Sequence, residues 1–430
     1  MEIDIKQCSL NGGFDPYALE WDATVSFPTT RKIKQYGNRV FNRYPARSIC
    51  LVPRATLNIK SEGGRKSLNV LDPFMGSGTT AVEAKRYGSI IYGTEMDPFA
   101  RLIAETSLIQ FTSKEEDVLT RAFKYIICNY KKINADPKLY PDLSNIEYWF
   151  EPEVFHQLLQ LKTAIFTFKD NDNIFKFLLV AFADAIKPCS KMERQSTKPY
   201  ISSKYTKRIK PVAESFEYSF TKHLEALKSY EESGSSCINW LGTDATNIAP
   251  QSFGIDIAIT SPPYLNALDY TQIIKVDSAW TGMLENSMVP LLKGKQVGHE
   301  KRIRQTVSLE VGRLFSKYFE RIATSAGKGT DRHKLKIAQT CLSYFEDMRA
   351  NLMCVYDLLK PNGEYHIIIG DNTIRGVDIP THRIIAELAK LEGFEWFGYY
   401  KYPIKDHRTS IPRKDNGGKI KYEFVLMLRK

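Results

Sequence analysis

The chain has 430 residues, 43% hydrophobic and 25% charged, which suits a globular protein of two domains or of one domain with insertions. No run of 18 apolar residues occurs, and the N-terminal MEIDIKQCSL is acidic and polar, so neither a membrane span nor a signal peptide is expected. The net charge of +11 fits a polyanionic partner, because lysine and arginine neutralise phosphates and release counterions. Seven scattered cysteines, none spaced as CxxC and none clustered with histidine, point to a reducing cytoplasm and away from a disulfide scaffold or a metal site.

Read in chain order, 67–72 (SLNVLD) predicts a strand, followed by a glycine turn and a helix over 79–86. A second strand over 89–95 (SIIYGTE) leads into a helix from 97 to about 108. This βαβα alternation is the signature of a parallel sheet covered by helices. It breaks over 112–234, where the text is mostly helical. Inside that region, 187–211 (KPCSKMERQSTKPYISSKYTKRIKP) holds eight lysines or arginines against one glutamate, with two tyrosines and three prolines interleaved. Alternation resumes near Cys237: INWLG and FGIDIAIT read as short strands around the turn GTDATNIAP. A second helical, basic stretch covers 282–337, and 343–359 reads as an amphipathic helix stopped by KPNG. GEYHIIIGDN then predicts a strand, THRIIAELAKLEG a helix, and FEWFGYYKYPI with KYEFVLML a terminal hairpin. One α/β sheet accounts for this order, with a catalytic domain expected over 1–111 and 235–430 and helical insertions over 112–234 and 282–337.

The segment NVLDPFMGSGTTAVEA sets an aspartate at a strand end, then Gly76 and Gly78, then a helix. Glycines permit a tight turn and close approach of a ligand to the backbone. The segment is not GxGxxG and lacks the lysine of a phosphate loop, so a nucleoside with a cationic amino-acid tail fits better than a pyrophosphate. Asp72 is then the candidate for the tail's ammonium. Glu95 falls where a ribose-binding carboxylate is expected, about 20 residues beyond the glycines.

DPFMGSGTT (Asp72–Thr80) together with TSPPY (Thr260–Tyr264) resembles the S-adenosylmethionine-dependent methyltransferases that methylate the exocyclic amine of cytosine or adenine in DNA. NRYPARS is similar to the segment that, in this family, lies over the methionine part of the cofactor. GTEMDP resembles the ribose-binding motif, and GTDA the short acidic motif near the adenine. LLKPNGEYHIIIGDNTIRG resembles the strand and helix after the catalytic loop. The resemblance covers about 35–111 and 236–430. It implies a Rossmann-like methyltransferase sheet, S-adenosylmethionine as cofactor and duplex DNA as substrate. It implies cofactor contacts from Tyr44, Pro45, Ala46, Asp72, Pro73, Phe74, Gly76, Gly78, Thr79, Thr80, Glu95, Asp244 and Ala245. A restriction endonuclease partner is also implied, although the chain carries no recognised nuclease motif.

Why a strand should end in Ser-Pro-Pro-Tyr then has a chemical answer. An exocyclic amine is a poor nucleophile because its lone pair is delocalised into the ring. Accepting hydrogen bonds from both its N–H groups favours a more tetrahedral nitrogen, and the Ser261 side chain and Pro262 carbonyl are the expected acceptors. Pro262 and Pro263 stiffen the turn so that little reorganisation accompanies the transition state. Tyr264 offers a face on which an extruded base stacks, worth roughly 1–3 kcal/mol. In this family a serine at the first position accompanies mainly cytosine N4 and an aspartate mainly adenine N6. N4 methylation of cytosine is therefore expected, with adenine N6 next and RNA or protein methylation as further alternatives. Asp269 and Tyr270 either shape the base pocket or cap the next helix. Pro188-Cys189 matches the pair that C5 methyltransferases use for covalent attack, but it lies in an irregular basic segment, and a structural cysteine is expected. For DNA contacts the candidates are Lys191, Arg194, Lys198, Lys204, Lys207 and Arg208, with KGKQVGHEKRIR and GKGTDRHKLK as a rival site.

Overall fold

The computed structural model describes residues 41, 44, 47–193, 196, 198–204, 206–228, 237–265, 269–326, 329–404 and 420–430. Its centre is a seven-stranded sheet. The strands are β1 (Asn69–Asp72), β2 (Ile90–Gly93), β3 (Ile238–Trp240), β4 (Ile255–Thr260), β5 (Leu359–Gly370), β8 (Glu395–Pro403) and β9 (Tyr422–Arg429). They lie in the order β3-β2-β1-β4-β5-β9-β8, all parallel except β9, which runs antiparallel to both neighbours. This is the Rossmann-like methyltransferase arrangement. The strand order reverses between β1 and β4, and in open α/β sheets the crevice beyond the carboxyl ends of the strands at such a point is where ligands bind.

Side chains alternate faces along each strand, and the alternation divides the core. Val70, Ile257 and Ile259 point to one side, against α4 (Ser113–Asn129), α5 (Pro152–Phe166), α6 (Asp172–Cys189) and α7 (Val212–Lys228). Leu71, Ala258, Ile367 and Ile369 point to the other, against α10 (Leu309–Ala323), α11 (Asp331–Leu358) and α12 (Thr381–Leu391). The helices over 113–228 thus share a core with the sheet. α6 is apolar nearly all round, and Phe177 to Ala183 are each at most 1% exposed, as a helix wrapped by its neighbours must be. A further layer, α1 (Leu51–Lys60), packs on Ile368, Val425 and Met427. It is tied to α2 (Thr79–Arg86) by a buried bidentate pair, Arg54 to Glu83 at 2.8 and 2.9 Å.

Three elements differ from the sequence reading. The helix predicted over 343–359 begins twelve residues earlier, at Asp331, where Thr330 caps it through the His333 amide. It ends at Leu358 as expected, but KPNG does not separate it from the next strand. Leu359 already pairs with Ile255, and the next partners are Ile257 and Glu364. The Pro-Asn-Gly turn is looped out inside β5, with Asn362 at φ +64°. Third, NTIRGVDI forms a small hairpin, β6 (Asn372–Ile374) with β7 (Val377–Ile379), on Arg375 and Gly376, both at positive φ.

Candidate active site

Above the β1–β4 reversal lies an open cleft. The Asp72 carboxylate closes β1. It accepts hydrogen bonds from the Thr260 hydroxyl at 2.5 Å and the Phe74 amide at 3.0 Å, which ties the ends of β1 and β4 together. Gly76 and Gly78 both sit at positive φ, +53° and +85°. Their tasks differ. A Cβ on Gly78 would lie 2.9 Å from the Ala104 Cβ and 3.0 Å from its Cα, so this glycine lets the α2 N-terminus press on α3 (Pro98–Thr106). A Cβ on Gly76 would meet nothing nearer than the Tyr44 ring at 3.9 Å and would project into the cleft.

Glu95 follows β2 and bridges two backbone amides, Gly76 at 2.7 Å and Asp97 at 2.8 Å, which locks the glycine loop to the second strand. Asp97 caps α3 through the Phe99 amide and accepts the Tyr44 hydroxyl at 3.2 Å. Burial dominates the charge balance of this acidic rim. It pushes Asp72 up to about 6, Asp97 up to about 6, and Glu95, with help from the nearby Asp97, up to about 7. Buried carboxylates with raised pKa values are a functional-site signature. The rim suits an occupant with positive charge and hydroxyls, and the room left above Gly76 suits one that lies on the backbone.

Of the residues singled out by sequence, Tyr44, Asp72, Pro73, Phe74, Gly76, Thr79, Glu95, Asp244, Ala245, Ser261 and Pro263 line the cleft. Thr80 is buried beneath it, where its hydroxyl supports Asp72. Pro45, Ala46 and Arg194 lie outside the described residues. Asp244 accepts the Thr246 amide at 2.9 Å and hydroxyl at 2.8 Å. Burial raises its pKa, but the two Thr246 bonds and the nearby Arg302 guanidinium outweigh that and hold the carboxyl below its ordinary value.

Pro262 is buried, and Tyr264 stands beside the cleft with its ring against the Gly370 backbone, 3.1 Å from where a Cβ would be. Its hydroxyl donates to Glu423 Oε1 at 2.6 Å. Asp269 caps α8 (Tyr270–Thr281) through the Gln272 amide and pairs with Lys293 at 2.7 Å, and Tyr270 lines the cleft.

The cleft has a roof that the sequence reading did not identify. Leu292, Lys295, Gln296 and Val297, at and after the end of α9 (Met288–Lys295), line it. The following turn is anchored by Arg302 and Arg304, which clamp the fully buried Asp347 at 2.8 and 2.7 Å and reach the Thr246 hydroxyl. The basic text KGKQVGHEKRIR therefore spends two of its arginines inward, on a carboxylate 43 to 45 residues away. No local pattern could have indicated this.

In the other basic stretch, the Lys207 ammonium donates to the carbonyls of Lys187 and Ser190 at 2.5 and 2.8 Å and closes the C-terminus of α6. Lys198, Lys204 and Arg208 are exposed, and Lys191 is half-buried with its ammonium 5.9 Å from the Tyr148 ring. Cys189, the last residue of α6, is fully buried, and burial pushes its thiol up to about 11. A thiol so hard to ionise is no nucleophile. Among the described residues no group of three or more metal-ligating side chains occurs, and no helix is long and apolar enough to cross a membrane.

The family model of N6/N4 methyltransferases, described as DNA methylase, matches residues 61–106, which contain β1, the glycine loop, β2 and α3. The Type II methyltransferase M.MvaI of Kocuria varians is 24% identical over 389 residues, 81% of this chain and 80% of its own length. The Type II methyltransferase M.AvaI of a Nostoc species is 24% identical over 443 residues, 94% of this chain and 88% of its own. M.BsoBI of Geobacillus stearothermophilus, also a Type II methyltransferase, is 26% identical over 263 residues, 54% of this chain and 50% of its own.

Proposed function

We propose that the chain is an S-adenosylmethionine-dependent DNA amino-methyltransferase, a reading its similarity to the DNA methylase model and to Type II methyltransferases supports, and that it methylates the N4 amine of cytosine in duplex DNA as the modification half of a restriction–modification pair. The observation that carries the choice of base is Ser261, a neutral hydroxyl where the adenine-directed relatives carry mainly aspartate. It lines the same cleft as Asp72, Gly76, Glu95 and Asp244.

The donor supplies an electrophilic methyl on a sulfonium. Asp72 takes the ammonium of the amino-acid tail, the Glu95 carboxylate takes the ribose hydroxyls, and the Asp244 turn with the apolar Phe74 and Val297 encloses the adenine. The Ser261 oxygen and the Pro262 carbonyl accept the two N–H bonds of the target amine. Its lone pair would then be free to form the N–CH3 bond as the S–CH3 bond breaks, the neutral thioether leaving with the sulfur electron pair, and the amine would release its extra proton to water. Tyr264, at the mouth of the turn, stacks on the extruded base. Holding amine and methyl in a near-attack geometry is worth roughly 7–11 kcal/mol, so no covalent enzyme intermediate is required. The buried Cys189 agrees with such direct attack.

Around the cleft, the duplex lies over Lys191 and Lys275, each supported on an aromatic ring, and over the exposed Tyr148 and Tyr200. Nucleoside mass spectrometry of unmodified plasmid DNA incubated with enzyme and donor tests the reading, and N4-methylcytosine is the expected product. N6-methyladenine as the product sinks the base assignment, and label incorporated into RNA but not DNA sinks the substrate.

A further inference from the structure

Two polar side chains on α11, Asp347 and Asn351, lie one helical turn apart and are each 0% exposed. Burying a polar group is costly unless its bonds are made, and both are committed, directly or through arginine, to the turn that carries Asp244. The Asn351 amide donates to the Ala245 carbonyl at 2.8 Å, and its oxygen accepts from the Tyr365 hydroxyl at 2.7 Å. Asp347 accepts from Arg302 at 2.8 Å and from Arg304 at 2.7 Å. The same two guanidinium groups donate to the Thr246 hydroxyl at 2.8 and 3.4 Å. Arg302 also donates to the carbonyl of Lys295, at the end of α9, so one side chain joins the roof of the cleft to the Asp244 turn.

The polarity of this chain of bonds is fixed by chemistry. A guanidinium only donates, and an ionised carboxylate only accepts. The Thr246 hydroxyl therefore accepts from the arginines with its lone pairs and gives its one proton to Asp244 Oδ1, at 2.8 Å. The Thr246 amide donates to the same oxygen at 2.9 Å. Oδ1 is thus occupied twice. Asp244 Oδ2 takes no hydrogen bond among the described residues, and the side chain that bears it is 39% exposed and lines the cleft. A hydroxyl that accepts from cations is the stronger donor, because bonds in such a chain polarise one another.

We infer that Arg302 and Thr246 are positioning residues for the methyl donor: they pin Asp244 through Oδ1 and leave Oδ2 to accept from the 6-amine of the donor's adenine. The inference rests on the amine-methylation reading, which sets the adenine at the Asp244 turn. An oxygen that offers only lone pairs takes an amine and opposes a carbonyl. The two residues therefore govern which purine is bound and not the rate of methyl transfer.

Calorimetry with two ligands tests it: S-adenosylhomocysteine, the demethylated donor, and S-inosylhomocysteine, in which a carbonyl replaces the amine. Wild type is expected to prefer the first by about 10- to 100-fold, the range that one hydrogen bond to a charged group supports. Thr246→Val keeps the backbone bond to Asp244 and removes only the hydroxyl. It is expected to weaken S-adenosylhomocysteine about tenfold, with S-inosylhomocysteine and kcat at saturating donor each staying within about twofold. Thr246→Ser, which retains a hydroxyl, is expected to restore the preference. Arg302→Lys loses the planar fork that spans Asp347 and Thr246, and is expected to lose at least half of the preference on a logarithmic scale. A full wild-type preference in Thr246→Val or in Arg302→Lys overturns the inference. So does an equal loss of both ligands in Thr246→Val, since that marks a structural role, and so does a wild type that binds the two ligands equally. A wild-type enzyme that transfers no methyl to DNA overturns the functional reading instead, which separates the two failures.

Discussion

Asp72 and Glu95 carry protons more tightly in the folded cleft than in the unfolded chain, being raised to about 6 and about 7. The sign of the consequence follows from linkage. Their protonated forms favour the fold, a contribution fully present below the unfolded values near 4 and lost as pH rises through 6 and 7. On the proposed function a cationic donor would reverse the balance, because it would bind the ionised carboxylates. Donor affinity is therefore expected to be flat above about pH 8 and to weaken roughly tenfold or more by pH 5.5, at about tenfold per pH unit for each group that must ionise. Calorimetry in buffers of different ionisation enthalpy checks this and should show proton release on binding near pH 6.5. The thermal shift caused by the donor should be larger at pH 8 than at pH 5.5. Asp72→Asn removes the charge but keeps hydrogen-bonding capacity toward Thr260. It should cost about 1.5–3 kcal/mol of donor binding, the worth of a charged hydrogen bond, and flatten the acidic part of the curve.

Among the elements, the glycine loop and its two helices depend on a close approach rather than on any single bond. Gly78→Ala forces a side chain into φ +85° and onto the Ala104 backbone at 3.0 Å. Positive φ on a non-glycine residue and overpacking cost about 1–3 kcal/mol each, so a loss of roughly 2–5 kcal/mol is expected in urea unfolding. Within α2, Glu83→Ala breaks the buried pair with the Arg54 guanidinium, which is 0% exposed, and should cost about 3–5 kcal/mol. These two sites were not equally legible. The glycine loop was, because a strand ending in Asp-Pro and two glycines before a helix has few other uses, and β1, β2 and β4 were short apolar runs bounded by turn residues. Nothing in the local pattern marks Glu83 and Arg54 as a pair, and their burial depends on where α1 packs. The β6–β7 hairpin hid behind an Arg-Gly turn in place of Asn-Gly. The roof over the cleft was invisible for a similar reason: Leu292 and Val297 line the same cleft as the glycine loop only through the tertiary fold.

Across the molecule, the net charge of +11 is not spread evenly over roles. Arg302, Arg304 and Lys207 look in sequence like phosphate ligands and are instead bound to a buried carboxylate or to helix-terminal carbonyls. Lys191 and Lys275 are placed differently. Their ammonium groups sit 5.9 and 5.8 Å from the rings of Tyr148 and Trp149, and the Lys191 amide donates to the Trp149 carbonyl at 2.8 Å, so the two lysines share one aromatic ledge. Lys275 lies on α8, the helix whose first residue, Tyr270, lines the cleft. Burial and the nearby Lys293 lower its pKa, a repulsion that a phosphate would relieve. Each phosphate neutralised adds about 0.9 to the slope of log K against log salt on B-DNA. Lys191→Gln with Lys275→Gln should therefore weaken non-specific duplex binding at low salt and lower that slope by about 2, with donor affinity unchanged. Lys207→Gln should leave the slope alone while reducing stability, because its charge serves the end of α6. Equal slopes for wild type and the double variant would move the duplex off this ledge and onto the exposed strip around Lys198, Lys204 and Arg208.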